Sequence, residues 1–216
     1  MKNFSKELYF KNILSYYKKN YVGVIVLILF ANIISYITDK NYVNGVVTIT
    51  FGTFITWLGH YLLHHHNTYN PIAKIHKYTH HSPFADTFLG KLIEYVFVEF
   101  LFFGGGISLI IIILYYRKYK TYLLNPYILL FWSLSVPIIH EVYYHILNKS
   151  SYHKLHHKTP SKYYSNDHWD SVFMTKGDNS PVEDESNMLL VLLAVCICVC
   201  LLINTKYDFI KYFSEK

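Results

Sequence analysis

The 216-residue sequence predicts an all-α protein: an integral membrane helical bundle with four to five membrane segments and a cytosolic histidine-rich cap. Composition gives the first reason, because 52% of the residues are hydrophobic and only 16% are charged, which is too apolar for an ordinary soluble domain. The second reason is a series of long apolar runs. The third is the placement of most of the 13 histidines just beyond the ends of those runs.

A helix needs about 20 mostly apolar residues to cross a bilayer core. In the third candidate run, the sequence "GGG" at Gly104 to Gly106 predicts a bend, and in the fourth, Pro137 lacks the N–H of one helical hydrogen bond. These two runs are therefore expected to form an irregular hairpin. The five candidate runs are 21–37, 43–63, 92–116, 123–147 and 188–204.

Basic residues predict the orientation. The positive-inside rule places the N-terminal stretch, which contains Lys2, Lys6, Lys11, Lys18 and Lys19, in the cytosol. An even number of crossings separates the two histidine-rich regions, so both are expected on that side. "RKYK" at 117–120 would then face away from the cytosol, against the charge rule. The alternative is that the third and fourth runs enter the membrane without crossing it, which preserves the parity.

The spacing of the histidines is typical of metal ligands. Residues three or four apart share one helix face, so each cluster is expected to aim two or three imidazoles at one point. Imidazole suits iron, zinc and copper, and three such clusters offer too many ligands for one tetrahedral ion, which favours two metals. The clusters are His60 with His64; His76 with His80 and His81; and His153 with His156 and His157.

The motifs "HYLLHH", "HKYTHH", "ILNKSSYHKLHH" and "HWDSVFMT" resemble those of the fatty acid hydroxylase and sterol desaturase superfamily, over about residues 57 to 175. These are integral membrane enzymes with a histidine-coordinated two-metal centre. The resemblance implies ligand roles for His76, His80 and His81 as the second box, for His140 as an intervening ligand, and for His153, His156 and His157 as the last box. It also implies that Trp169, Asp170 and Phe173 form a closing element.

The first box departs from the family pattern. Thr68 and Tyr69 stand where relatives have a second histidine after the one at His64. The box must therefore use His60 with His64, unless its ligands are the next two histidines, His65 and His66. In the closing element, Met174 replaces the glycine usual in relatives.

The sequence "HEVYYH" leaves a choice open. His140 and His145 are five residues apart, roughly 140° around a regular helix, so both cannot face one metal from an α-helix. His145 is kept as a tenth candidate ligand, and either it or Glu141 would orient a ligand from behind, as carboxylates often do for metal-bound imidazoles. Asp170 and Asp86 are candidates for the same supporting role, although a solvated or capping role is the favoured interpretation of each.

The resemblance implies a non-haem diiron centre that uses O₂ to hydroxylate or desaturate a C–H bond of a sterol, fatty acyl or sphingolipid substrate. Since no flavin, dinucleotide or haem motif is visible, an external electron donor such as cytochrome b5 or an NAD(P)H reductase is expected. The expected location is the endoplasmic reticulum membrane of a eukaryotic cell. Nucleic acid is not an expected partner, because the lysines flank apolar runs; those that would meet a redox partner or lipid headgroups are Lys74, Lys77, Lys154, Lys158 and Lys162.

Three domains are predicted on this basis: an N-terminal cytosolic segment at 1–20, the membrane helices with the histidine-box catalytic domain at 21–182, and a C-terminal apolar segment and tail at 183–216. Two other functions compete. A hydrolytic zinc enzyme normally carries HExxH, and "HEVYYH" is one residue too long. A metal-binding or transport protein, or a degenerate relative without oxygenase activity, is the stronger alternative. Transport predicts ionisable residues in the middle of several crossings, and few are expected here.

Overall fold

Every described element of the chain is helical. The computed structural model describes residues 6–65, 70–147, 151–159, 161–164, 167–176 and 182–215. Two π-helical segments, Glu94–Phe103 and His140–Ile146, continue α4 and α6, and two short 3-10 turns cover Pro83–Asp86 and Glu185–Met188. The predicted all-α class is confirmed. The α-helices are α1 (Lys6–Thr38), α2 (Tyr42–His65), α3 (Pro71–His80), α4 (Phe88–Ile93), α5 (Gly106–Tyr119), α6 (Pro126–Ile139), α7 (Ser151–Lys158), α8 (Asp167–Val172), α9 (Leu189–Leu202) and α10 (Phe209–Glu215).

Helix length and hydropathy identify an integral membrane protein. Three helices in the described part of the chain are long and apolar enough to cross a bilayer, at Lys6–Thr38, Tyr42–His64 and Glu185–Leu202. A fourth span forms if Phe88–Phe103 and Gly106–Tyr119, which meet at 55°, are counted together. The fourth predicted run, 123–147, is instead divided between α6 and the second π-helical segment.

Helix α6 lies at the centre of the bundle. It packs against α1, α2, α5, α9 and the first π-helical segment, and most of its side chains are buried, Ile128 and Phe131 completely. Apolar side chains on the outer helices are exposed, as at Leu190 and Leu201 of α9. An apolar exterior around a buried central helix is the arrangement expected for a bundle in lipid.

The predicted bend in the third run occurs at its glycines. Gly105 adopts a φ of 81°, a left-handed conformation that favours glycine. A Cβ on Gly104 would lie 2.7 Å from the Cα of Ser133, and the Ser133 hydroxyl donates a 2.7 Å hydrogen bond to the Gly104 carbonyl. The glycines therefore turn the chain and bring it against α6, which confirms the irregular hairpin.

The third and fourth segments reach the far end of the bundle. Asn125 caps α6 through its side-chain oxygen, which accepts from the N–H groups of Tyr127 and Ile128, and its amide donates a 2.8 Å bond to Thr38 at the end of α1. These segments thus extend as far along the bundle as α1 does, and the crossing and shallow topologies both stay predictions.

The opposite end of the bundle holds both histidine-rich regions. Tyr16 of α1 donates a 2.8 Å hydrogen bond to Glu185, and its ring lies 5.5 Å from that of His168, so the N-terminal part of α1 is at this end too. Both histidine-rich regions lie at one end of the bundle, as predicted, and the number of crossings between them stays a prediction. Helix α1 is continuous across residue 20, and the division into domains stays a prediction.

Candidate metal centre

Three helix ends supply the first group of imidazoles. One ring nitrogen from each of four histidines lies within 4.8 Å of all the others. Asn70 and Pro71 begin α3 with a side-chain cap, as Asn70 Oδ1 accepts from the N–H of Ile72 at 3.0 Å. This cap fixes the start of the helix and so the direction of its histidines. The first group consists of His60 and His64 from α2, His76 from α3 and His156 from α7.

His80 is the hub of a second group. Its ring nitrogen lies within 4.8 Å of those of His81 and His157 in one set and of those of His140 and His153 in another. The His80 ring centroid is 4.6 Å from that of His157 and 4.9 Å from that of His140. The second group therefore offers five imidazoles, which are His80 and the four around it.

Sequence neighbours divide between the groups, which corrects the expectation that each cluster serves one point. His76 and His80 stack with centroids 5.0 Å apart, yet one belongs to each group. His156 likewise joins the first group while His153 and His157 join the second. Adjacent rings on one helix face lie side by side, so two neighbouring sites each receive one of them.

Nine of the ten predicted imidazoles are thus accounted for. The side chain of His145 lies outside the described residues. The same holds for the side chains of His65 and Asp86 and for all of His66, so their predicted roles stay predictions.

The ring nitrogens that face one another in the two groups are suited to binding metal ions. In the described part of the chain, buried Nε2 atoms of His60, His80, His81 and His156 have no hydrogen-bond partner, although a buried polar atom without one costs about 1–3 kcal/mol. The Nε2 atoms of His64 and His76 are 3.1 Å apart. Nitrogen ligands of one tetrahedral ion are separated by about 3.3 Å, so ions would satisfy these nitrogens. The histidine groups are able to hold metal ions.

Hydrogen bonds from behind the rings fix two tautomers. The Nδ1–H of His156 donates to the Lys162 carbonyl at 2.9 Å, and the Nδ1–H of His76 donates to Glu94 at 3.2 Å. Each bond leaves Nε2 with its lone pair facing the group. This is the usual arrangement behind a metal-bound imidazole.

Burial keeps the histidines outside the membrane segments neutral. It lowers the pKa of His156 to about 4 and that of His81 to about 3, and it holds the pKa values of His76 and His80 well below the usual range. Neighbouring imidazoles add to the effect by repelling a second positive charge. Neutral imidazole is the form that binds metal.

Two carboxylates near the imidazoles were not anticipated. Glu94 and Glu99 lie on the first π-helical segment and are 2% and 3% exposed. Glu94 contacts His76, and a Glu99 oxygen lies 3.8 Å from Nε2 of His140. The signal was present, because "IEYVFVEF" places two ionisable residues inside an apolar run, where they usually have a function.

The π-helix explains this placement and corrects one premise. Gly104 N–H bonds to the Glu99 carbonyl and Leu147 N–H to that of Val142, both five residues back. Such a helix winds more slowly than an α-helix, so residues five apart lie nearer to one face. The assumption of a regular helix at His140 is therefore wrong.

Glu141 does not lie behind an imidazole. Its carboxylate accepts the Tyr95 hydroxyl hydrogen bond and lies 3.8 Å from the Lys91 ammonium. Since the segment is π-helical, Glu141 faces α4 and not the histidine groups. Its predicted supporting role is replaced by Glu94.

Asp170 supports the site indirectly. It is fully buried and accepts from the Tyr164 N–H at 3.2 Å and from the Thr175 hydroxyl. The Tyr164 ring lies 6.1 Å from that of His60. Asp170 therefore fixes the loop that carries Tyr164 beside the first group.

The closing element docks on α2. Trp169 donates a 3.1 Å hydrogen bond to Thr53, and the Phe173 ring stacks on that of Trp57 at 4.1 Å. Met174 adopts a φ of 58°, a conformation that favours glycine. These contacts hold the loop after α7 against the helix that carries His60.

A cavity joins the two groups. Its wall includes His60 from the first group and His140 and His153 from the second, together with Glu99. The remaining lining is mostly apolar or aromatic, so a molecule in this cavity would meet both groups. Its apolar and aromatic walls are Phe103, Trp132, Val136, Ile139, Tyr144, Tyr152, Tyr163, Tyr164 and Met188.

Comparison of the chain with models of known protein families, with curated proteins and with solved structures found no match.

Proposed function

We propose that this protein is an O₂-dependent, non-haem diiron oxidoreductase that hydroxylates or desaturates a C–H bond of a sterol, fatty acyl or sphingolipid substrate. The observation that carries the proposal is the cavity whose wall includes His60, His140 and His153. A substrate held there would lie beside both histidine groups at once.

The chemistry requires a redox metal. No side chain is a strong enough oxidant to attack an aliphatic C–H bond. The protein's part is therefore to bind and orient the substrate and to exclude water. When bound, an iron pair supplies the activation of O₂. Histidine nitrogen is a suitable ligand for iron.

The chain's own residues would position the substrate. Phe103, Val136 and Ile139 offer an apolar wall for an acyl chain or a ring system and exclude water from the reacting bond. Trp132 donates a 2.9 Å hydrogen bond to Thr56, which fixes the indole in the wall. Glu99 lies among these groups, where it can hold a proton close to His140.

The order of the histidine motifs supports the same function through the resemblance described above. The left-handed conformation of Met174 adds to it, since relatives usually carry glycine at that position and the local backbone favours glycine. The resemblance rests on the motifs and not on a match along the chain.

The electrons would come from a separate protein, cytochrome b5 or an NAD(P)H reductase. Lys77 and Lys158 are exposed near the histidine groups and offer a basic landing surface. We place the protein in the endoplasmic reticulum membrane with this surface in the cytosol.

The test is comparative lipid analysis of cells that express the protein. We expect a lipid product that contains a new hydroxyl group or double bond and depends on O₂. The double variant His60→Ala with His156→Ala removes two imidazoles of the first group and should abolish it. His168→Ala is the matched control, because His168 packs on Tyr16 and lies outside both groups.

Metal uptake without a lipid product would contradict the proposal. If the cells accumulate or lose metal in proportion to expression, and this requires the same two histidines, the protein is a metal-binding or transport protein. If the wild-type protein at full iron occupancy leaves the lipid profile unchanged, the protein is a relative of the superfamily that lacks oxygenase activity.

A further inference from the structure

The Glu94 carboxylate contacts imidazoles of both histidine groups. Its Oε1 lies 3.2 Å from Nδ1 of His76 in the first group and 3.6 Å from Nδ1 of His80 in the second. The hydroxyl of Thr79 donates to the other oxygen. One turn of α3 thus presents three side chains to one carboxylate.

The surroundings of Glu94 leave its charge dependent on these rings. The side chain is 3% exposed, and within the described residues its ion-pair partners are His76 and His80 alone. An isolated buried carboxylate is costly. Metal binding at either ring makes the Nδ1–H a stronger donor, so an ion in either group would stabilise the carboxylate where it lies.

From this geometry we infer that Glu94 is a shared positioning residue that makes the two metal ions bind as a pair. An ion bound through His76 fixes Glu94, and the fixed carboxylate holds the His80 ring with its Nε2 towards the second group. The carboxylate lies behind one ring of each group, where its negative charge offsets part of the positive charge of both ions. The inference rests on the two-metal part of the proposed function and not on its chemistry.

The test is a titration of the metal-free protein with Co²⁺, followed by the visible d–d absorption of the bound ion and by dialysis. The wild-type protein should bind two ions in one cooperative step. Glu94→Gln, which keeps the size but removes the charge, should separate the steps and weaken both by about 10- to 100-fold. Glu141→Gln is the matched control, because Glu141 pairs with Tyr95 and Lys91.

Two double-variant backgrounds, each lacking one histidine group, show at which group Glu94→Gln weakens metal binding. His60→Ala with His64→Ala disables the first group, and His140→Ala with His153→Ala disables the second. Glu94→Gln should weaken the binding of the remaining ion in both backgrounds. Weakening in one background only, or in neither, would overturn the shared role.

Loss of metal affinity must be distinguished from a folding defect. The thermal transition of each metal-free variant is measured first, and if Glu94→Gln does not fold, Thr79→Val removes only the hydroxyl that fixes the carboxylate. Thr79→Val should weaken the binding of both ions, by a smaller factor than Glu94→Gln does. Unchanged affinities would overturn the inference. Two tightly bound ions without any lipid product would refute the oxygenase proposal and leave Glu94's role intact.

Discussion

At the scale of single residues, the histidine spacing predicted the members of the site but not their division. His76 and His80 share a helix face, as their four-residue separation requires, and contact different groups. The division depends on which rings from α2, α6 and α7 meet each of them, which is a property of packing and not of spacing. Glu94 and Glu99 were predictable, because ionisable residues inside an apolar run are rare.

The buried imidazoles predict acid sensitivity of the metal-free protein. The pKa of His156 is about 4 in the folded chain, against 6.5 without burial. Between those values the unfolded chain binds more protons, so lowering the pH favours unfolding by up to about 1.4 kcal/mol per pH unit for this histidine. The thermal transition should therefore fall from pH 7 to pH 5, before most carboxylates titrate.

Two variants separate this effect from general charge. His156→Gln removes the titrating group, and the dependence on pH should become shallower. His168→Gln removes a histidine that lies outside both groups and controls for the loss of an imidazole as such. A transition that does not move between pH 7 and pH 5 would contradict the burial of neutral imidazoles.

At the scale of elements, apolar runs predicted where most helices lie, while their winding was not visible in the sequence. The glycines of the third run and Pro137 of the fourth both indicated irregularity, and the bend at Gly105 is where the sequence placed it. The π-helical winding of Glu94–Phe103 and His140–Ile146 depends on contacts with neighbouring helices. For that reason the contacts of Glu141 with Tyr95 and Lys91 could not be read from the sequence.

The close approach at Gly104 gives an element-scale prediction. A Cβ there would lie 2.7 Å from Ser133 Cα and 2.8 Å from its carbonyl oxygen, which is backbone that cannot move alone. Gly104→Ala should force the first π-helical segment away from α6 and lower the free energy of unfolding by about 1–3 kcal/mol.

Gly23→Ala is the control for that measurement, since nothing lies within 4 Å of a Cβ on Gly23. It should leave stability in detergent unchanged or slightly raised. Equal effects of the two substitutions on the thermal transition would show that α6 and the bend are not in close contact.

At the scale of the whole molecule, the apolar runs predicted that both histidine-rich regions lie at one end of the bundle. The structure places them there; the contact of Tyr16 with Glu185 lies at that end and the contact of Asn125 with Thr38 at the other. The side of the membrane that the histidine-rich end faces is predicted by the positive-inside rule. Asn148, Lys149 and Ser150 form a glycosylation sequon outside the described residues, and the predicted cytosolic location of this segment implies that it is unmodified.

Sidedness can be tested with a thiol reagent that does not cross membranes. In a chain with Cys196, Cys198 and Cys200 replaced by alanine, cysteine is introduced at Lys40, in the link after α1, or at Lys158, at the end of α7; both positions are exposed. In sealed vesicles of known orientation, Lys158→Cys should react from the cytosolic side and Lys40→Cys from the other. Labelling of both from one side would refute the topology.

The central claim is that the two histidine groups hold one metal ion each, and its most direct test is the iron content of the purified protein. After anaerobic loading with Fe²⁺ and dialysis, the wild-type chain should retain two irons. The variant with His60→Ala and His64→Ala, which lacks two imidazoles of the first group, should retain one. Retention of no iron by the wild-type chain, or of equal amounts by both proteins, would contradict a two-metal centre.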